Sequence, residues 1–300
     1  MKKTTWAMLA LVAVAAAWGG AFVTMKDAIA REPFYDFLAT RFLIATVLMV
    51  LAKPRVFKSI DRDLLRKGIV LGLLLGFGYI TQTIGLQVTT AAITGFITGL
   101  YVICTPVLAW LLFGHRPSGR IVIGVILATV ALGFISINNF AIEVGQIWVI
   151  GCAVLFAAHI VGLGVWSPGK DTYALTVVQL GTVGIVCTLG ALLDPEHPGY
   201  QPPMDGGVWF AVLFCAVFAT AVAFWVQTWA QSMFDSSRVA IILTLEVLFT
   251  ALLAVGVGQE TLATKTIIGG ALMVVAMLVV EWPSRNNDVT TIEIFEPFEH

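Results

Sequence analysis

The sequence predicts an all-α membrane protein, with ten transmembrane helices arranged as two five-helix halves of inverted topology around a central cavity. Three observations lead there. The composition is too apolar to cover a water-facing surface, the apolar runs recur ten times between polar breaks, and the chain matches itself at one constant offset.

Of the 300 residues, 59% are hydrophobic and 12% charged, with a mean hydropathy of +0.94. A soluble domain of this size carries about 25% charged residues, so the solvent for most of this surface is lipid. The four cysteines (Cys104, Cys152, Cys187 and Cys215) each sit inside an apolar run without CxxC or Cys/His spacing. They read as small apolar side chains, not as metal ligands or disulfide partners. No metal and no cofactor is expected, nor is a nucleic-acid partner; the partners expected are the lipid bilayer and a small solute.

A membrane-spanning helix needs about 20 mostly apolar residues. The segments that qualify are 5–25, 35–52, 66–86, 91–113, 120–138, 146–165, 174–193, 207–231, 237–257 and 266–282. The first follows Lys2-Lys3 and is Ala-rich, as in a secretory leader, but it exceeds the usual leader length of about 7–15 apolar residues and is read as a retained helix. Turn chemistry separates the segments: Glu32-Pro33, Lys53-Pro54-Arg55, His115-Arg116-Pro117-Ser118-Gly119, Ser167-Pro168-Gly169 and Asp194-Pro195-Glu196-His197-Pro198-Gly199. Gly72 with Gly76, and Gly95 with Gly99, form small-xxx-small pairs that predict close helix approach. Residues 283–300 read as a polar cytoplasmic tail.

Basic residues orient the spans. With the N-terminus inside, cytoplasmic segments hold Lys2, Lys3, Lys53, Arg55, Lys58, Arg62, Arg66, Lys67, Arg116, Arg120, Lys170, Arg238 and Arg285. The outer segments hold only Lys26, Arg31 and Lys265, and Arg41 lies within a helix. Thirteen against three predicts both termini in the cytoplasm.

Gln82 aligned with Gln227 sets an offset of 227 − 82 = 145 residues. The same offset, without gaps, pairs Thr83/Thr228, Ile97/Ile242, Leu100/Leu245, Val102/Val247, Thr105/Thr250, Leu108/Leu253, Ala109/Ala254, Gly124/Gly269 and Leu127/Leu272. It also pairs the loop holding His115 with the loop holding Glu260. Halves of 1–140 and 141–282 hold five helices each. An odd number inverts the second half, which is the construction that lets a carrier alternate access around a midplane site.

Trp18-Gly19-Gly20-Ala21-Phe22, then Lys26, Pro33 and Arg41-Phe42, resembles the opening of the drug/metabolite transporter superfamily, EamA type. So do Gly95-Phe96-Ile97-Thr98-Gly99-Leu100-Tyr101-Val102 leading to Thr105-Pro106, Gly114-His115-Arg116-Pro117, and Leu245-Glu246-Val247 leading to Gln259-Glu260. The resemblance covers nearly all of residues 5–282 and is nearest to the YddG-like amino-acid exporters. It implies a ten-helix inverted repeat in the inner membrane and the export of amino acids or other small metabolites. His115 stands where the family often has Glu, and Val247 where the second half usually has Pro.

Polar groups inside a membrane are costly and are therefore candidates for solute contact. Glu246, near the middle of the ninth span, has two readings: a contact for a solute ammonium or a proton, and a helix-packing or ion-pair residue. Arg41 is read as a structural ion-pair or helix-packing residue, pairing with a carbonyl or carboxylate in preference to direct solute contact. His159 in the sixth span corresponds roughly, four residues off the repeat offset, to Trp18 in the first, with cavity lining and simple hydrogen bonding both open. Gln82 and Gln227 are repeat mates, with Gln179 and Gln231 weaker versions of the same case. Tyr79 lies one turn before Gln82, Phe224 one turn before Gln227, and Tyr101 in the fourth span. The proposed substrate set is Trp18, Tyr79, Gln82, Tyr101, His159, Phe224, Gln227 and Glu246, an aromatic pocket with few polar groups that suits amino acids.

No GxxxxGK[ST] phosphate loop, HExxH, GxSxG or paired-carboxylate constellation occurs, so no catalytic residue is assigned. A membrane enzyme would need a polar cluster at one face, and Asp194, Glu196 and His197 form the only one, within a Pro-rich loop. A phosphate-sugar or nucleotide-sugar carrier would need several intramembrane cations, where only Arg41 stands; lipid flipping stays open. One chain holds both halves, consistent with a functional monomer.

Overall fold

A computed structural model describes residues 3–89, 91–114, 116–136, 144–197, 199–257 and 264–281. His115, Glu260 and the tail from 283 onward lie outside these residues. Among them there is no strand. The helices are α1 (Lys3–Ile29), α2 (Phe34–Ala52), α3 (Arg62–Val88), α4 (Ala91–Gly99), α5 (Tyr101–Phe113), α6 (Gly119–Ser136) and α7 (Val144–Trp166). They continue with α8 (Thr172–Leu193), α9 (Gly206–Ala216), α10 (Ala223–Gln231), α11 (Ser236–Leu243), α12 (Leu245–Gly256) and α13 (Thr264–Glu281).

Among the described residues, seven stretches are long and apolar enough to cross a bilayer: Thr4–Ile29, Phe34–Ala52, Arg62–Val88, Val144–Trp166, Thr172–Leu193, Gly206–Gln231 and Ser236–Gly256. Where the sequence predicted the fourth, fifth and tenth spans, shorter apolar helices run over Ile97–Phe113, Gly119–Ala131 and Ile267–Ala276. The outer surface is what a bilayer requires. Leu51, Leu111 and Phe210 are each about two-thirds exposed, and helices satisfy their own backbone in hydrocarbon.

Three expected helices are not continuous. Residues 91–113 divide at Leu100, where the Ile103 N–H donates to the Leu100 carbonyl in a tight i→i+3 turn. Residues 237–257 divide in the same way at Thr244, which accepts from the Val247 N–H. Between α9 and α10 the chain widens into a π-helical turn over Val217–Val222.

Aspartates start several helices by accepting from their first N–H groups: Asp61 for α3, Asp171 for α8, Asp205 for α9 and Asp235 for α11. Helix α3 packs on α7 and α8, α2 on α8, α1 on α12, and α6 on α13. Glycine permits the close approach of α3 to α8. A Cβ on Gly72 would lie 2.6 Å from Thr182 Cβ and 2.8 Å from the Gln179 carbonyl, so α3 and α8 meet backbone to backbone. Gly95, expected to do the same, faces open space within 4 Å among the described residues.

Candidate functional site

The site is built where α1 crosses α12. A Cβ on Gly19 would lie 2.7 Å from the Thr250 nitrogen and 2.8 Å from Phe249 Cβ, so only glycine lets the two backbones touch. That contact brings Trp18 and Glu246 to the wall of one cavity, of about 540 Å³ including its mouth. Trp18, Tyr79, Gln82, Tyr101, His159, Phe224, Gln227 and Glu246 all line it, and so does Arg41. Ala21, Phe22, Met25, Leu75, Phe156 and Ile160 complete the wall, and the sequence assigned none of them to the site. Apart from the motif that holds Ala21 and Phe22, nothing distinguished these apolar residues from the dozens facing lipid.

The aromatic residues form a connected group. Tyr79 meets Phe156 and Phe224 edge-on, with ring centroids 5.3 and 6.2 Å apart, and Phe224 tilts against Trp18 at 5.4 Å. Their packing holds each ring in place by geometry that aromatic pairs favour.

The π turn supplies the partners of Trp18 and Arg41. The Trp18 indole N–H donates to the Ala219 carbonyl at 2.9 Å. Arg41 Nε donates to Thr220 Oγ1 at 2.7 Å, and Nη2 to the Ala219 carbonyl at 3.3 Å and the Tyr79 hydroxyl at 3.4 Å. Its guanidinium also lies 4.9 Å from the Tyr79 ring centre. A wide π turn leaves room for such side-chain donors at its carbonyls. No ion pair to Arg41 occurs among the described residues. The sequence VFATAV, with neither Pro nor Gly, gave no sign of the turn.

Other polar groups are held from behind. His159 Nε2 donates to Gln179 Oε1 at 2.8 Å, the tautomer being assigned because Gln179 Nε2 already donates to the Leu175 carbonyl. Gln82 Nε2 donates to Thr98 Oγ1 at 3.2 Å. Gln227 Nε2 donates to Gln231 Oε1 at 3.0 Å, and Gln231 Nε2 donates to the Ile160 carbonyl at 2.6 Å. Gln179 and Gln231 thus act one layer behind the cavity.

Three atoms on the cavity wall are deeply buried with no protein partner: Tyr101 Oη, Gln227 Oε1 and Glu246 Oε1. Leaving such a group unpaired costs about 1–3 kcal/mol, more for a charge. Thr105 and Ser167 hydroxyls are also unpartnered, but away from the cavity. Tyr101 and Glu246 are the first and second residues after the interruptions at Leu100 and Thr244, and both line the cavity.

A model of the EamA-like transporter family matches residues 5–137 and again residues 143–282. An uncharacterized transporter from Archaeoglobus fulgidus is 32% identical over 279 residues, spanning 93% of this chain and 86% of the relative. A solved crystal structure of a protein superposes with a TM-score of 0.75 over 92% of this chain and 96% of the other, at 16% identity, a likeness of fold alone. Apolar spans around a polar-aromatic cavity, with family matches over nearly the whole length, lead to one conclusion: this multi-pass membrane protein belongs to the EamA-like transporter family of the drug/metabolite transporter superfamily.

Proposed function

We propose that this transporter exports amino acids, aromatic ones included, and related small metabolites across the cell inner membrane by alternating access. The observation that supports this most is the cavity itself: an aromatic wall interrupted by a few buried polar groups, among them one cation and one carboxylate. A wall of this kind suits a small amphipathic solute better than a bare ion or a polyphosphate. Among the described residues Arg41 is the single cationic side chain on the wall, whereas a sugar phosphate would want several. No catalytic role is assigned to any residue, and the protein is read as a carrier, not an enzyme.

The architecture proposed with it is ten spans in two inverted halves, 1–140 and 141–282, with both termini in the cytoplasm and one chain as the working unit. Two stretches matched by one family model, 5–137 and 143–282, support the halves. So do the helix interruptions at Leu100 and Thr244, 244 − 100 = 144 residues apart, within one residue of the sequence offset.

Counterflow tests the function. Liposomes holding the purified protein, preloaded with unlabelled amino acids, receive labelled Thr, Met, Phe or Trp outside, with and without a pH gradient. Protein-dependent uptake without a gradient is expected from a facilitative carrier, and uptake only with a gradient from a proton-coupled one. Uptake of none of the four would end the amino-acid reading.

A further inference from the structure

We infer that the cavity reads both ends of a zwitterion, with the ligand's ammonium at Glu246, Gln227 and Tyr101 and its carboxylate at Arg41. This rests on the reading of the cavity as the solute site, and adds which groups recognise which end.

The polarity at one end follows from a chain of hydrogen bonds. The Ile160 carbonyl only accepts, so the Gln231 atom facing it is the amide nitrogen. The other Gln231 atom is then its oxygen, and the Gln227 atom bonded to it must be nitrogen. This leaves Gln227 Oε1 on the cavity wall as an acceptor with no protein donor. Glu246 Oε1 is likewise unpartnered, and an ionised carboxylate also only accepts. Tyr101 Oη, the third free atom, can take either role. Two free acceptors and one adaptable hydroxyl among the residues of one cavity wall call for a donor-rich group, and an ammonium is such a group.

The opposite polarity stands at Arg41, which only donates. Its Nε is engaged, its Nη2 contacts are long, and the Nη1 bond recorded is to the Met25 sulfur at 3.7 Å, a weak acceptor. Arg41 is 1% exposed and Glu246 4%, both line the cavity, and neither has an ion-pair partner among the described residues. A buried guanidinium without a carboxylate, and a buried carboxyl group without a cation, are each unfavourable alone. A simple amine would answer Glu246 and leave Arg41, and a simple carboxylate the reverse. A zwitterion answers both.

The test is competition for binding of labelled phenylalanine to the full chain in lipid nanodiscs. Two competitors keep the ring but lose one end: phenethylamine lacks the carboxylate, and 3-phenylpropionate lacks the ammonium. Each is expected to compete at least about tenfold more weakly than unlabelled phenylalanine, as loss of a hydrogen bond to a charged group implies. In Glu246→Gln, the advantage of phenylalanine over 3-phenylpropionate should fall to within about threefold, while its advantage over phenethylamine persists. That split cannot come from general damage, which would weaken all three compounds alike. Equal competition by either one-ended compound in the unaltered protein would overturn the inference while leaving the amino-acid reading in place. If Glu246→Gln does not fold, the competition series on the unaltered protein decides alone. Absence of binding for phenylalanine, tryptophan, methionine and threonine together would remove the amino-acid reading, and this inference with it.

Discussion

Residues 79–101 and 224–246 stand 145 positions apart, and they line the same cavity with different chemistry. Tyr79 faces it in one stretch and Phe224 in the other; Gln82 and Gln227 both do; Tyr101 is matched by Glu246. In the first stretch, Gln82 is tied to Thr98. The matching position in the second is Leu243, which has no polar side chain, so Gln227 turns to Gln231 and keeps its oxygen open. One stretch therefore closes its amide internally while the other leaves an amide and a carboxylate open. Two stretches at one sequence offset thus line the cavity unequally, because single residue differences decide which polar atoms find protein partners.

The largest expected effect tests that asymmetry at the Tyr101/Glu246 pair. Glu246→Gln should reduce counterflow of the best substrate about 10- to 100-fold, the range for losing a hydrogen bond to a charged group, whereas Tyr101→Phe should cost about 2- to 10-fold. Equal losses at the two positions would break the comparison.

Next in size is the crossing that brings the two stretches together. Gly19→Ala places a methyl against Thr250 and Phe249 and should lower stability by about 1–3 kcal/mol through overpacking. Gly95→Ala meets open space and should be neutral to within about 0.5 kcal/mol. Thermal unfolding in one detergent compares them.

Closing the amide is tested by Thr98→Val, which preserves shape and removes the acceptor of Gln82. A stability loss of about 1–2 kcal/mol is expected. A substitution at the matching position, Leu243→Ile, leaves no amide stranded and should lose less than about 1.5 kcal/mol.

The smallest effect lies at the loop between α7 and α8, remote from the pocket. Asp171 caps α8 and pairs with Lys53 at 3.0 Å. Partial burial pushes its carboxyl up, but the Ala174 N–H and the Lys53 ammonium outweigh this and hold it below the ordinary carboxylate range. Its contribution is therefore complete above the unfolded value and lost as the pH falls through the lowered one. Asp171→Ala should cost about 1 kcal/mol at neutral pH, a difference that disappears in acid; Asp171→Asn keeps the cap and should cost less than that. Unfolding midpoints measured from pH 7 down to pH 3 would show this, and transport should not change.

How far the sequence reached differs between these features. Apolar runs and their polar breaks located the helices to within a few residues, because lipid leaves the backbone no alternative to helix. Rare polar residues in those runs, Arg41, Gln82, His159, Gln227 and Glu246, stood out for the same reason, and all five line the cavity. The aromatic wall was half legible. Trp18, Tyr79, Tyr101 and Phe224 were picked by spacing from a polar residue or by motif, while Phe22, inside the same motif as Trp18, and Phe156, with no polar neighbour to mark it, were not assigned to the site. Gly95 shows the opposite failure, since a small-xxx-small spacing names a possible contact without naming a partner.

By itself, then, the sequence determined that the chain lives in lipid, where its helices run, and which side chains are too costly to bury there without a use. Those are local properties, fixed by transfer free energy and backbone hydrogen bonding. Only the tertiary structure decided which polar atoms stay open. The partners of Trp18 and Arg41 lie about 200 and 180 residues away in a π turn that no residue type announces. The free oxygen of Gln227 is fixed through Gln231 by a carbonyl 71 residues from it, that of Ile160. Hydrogen-bond satisfaction is settled by what packs across from a group, and that is a property of the assembled bundle.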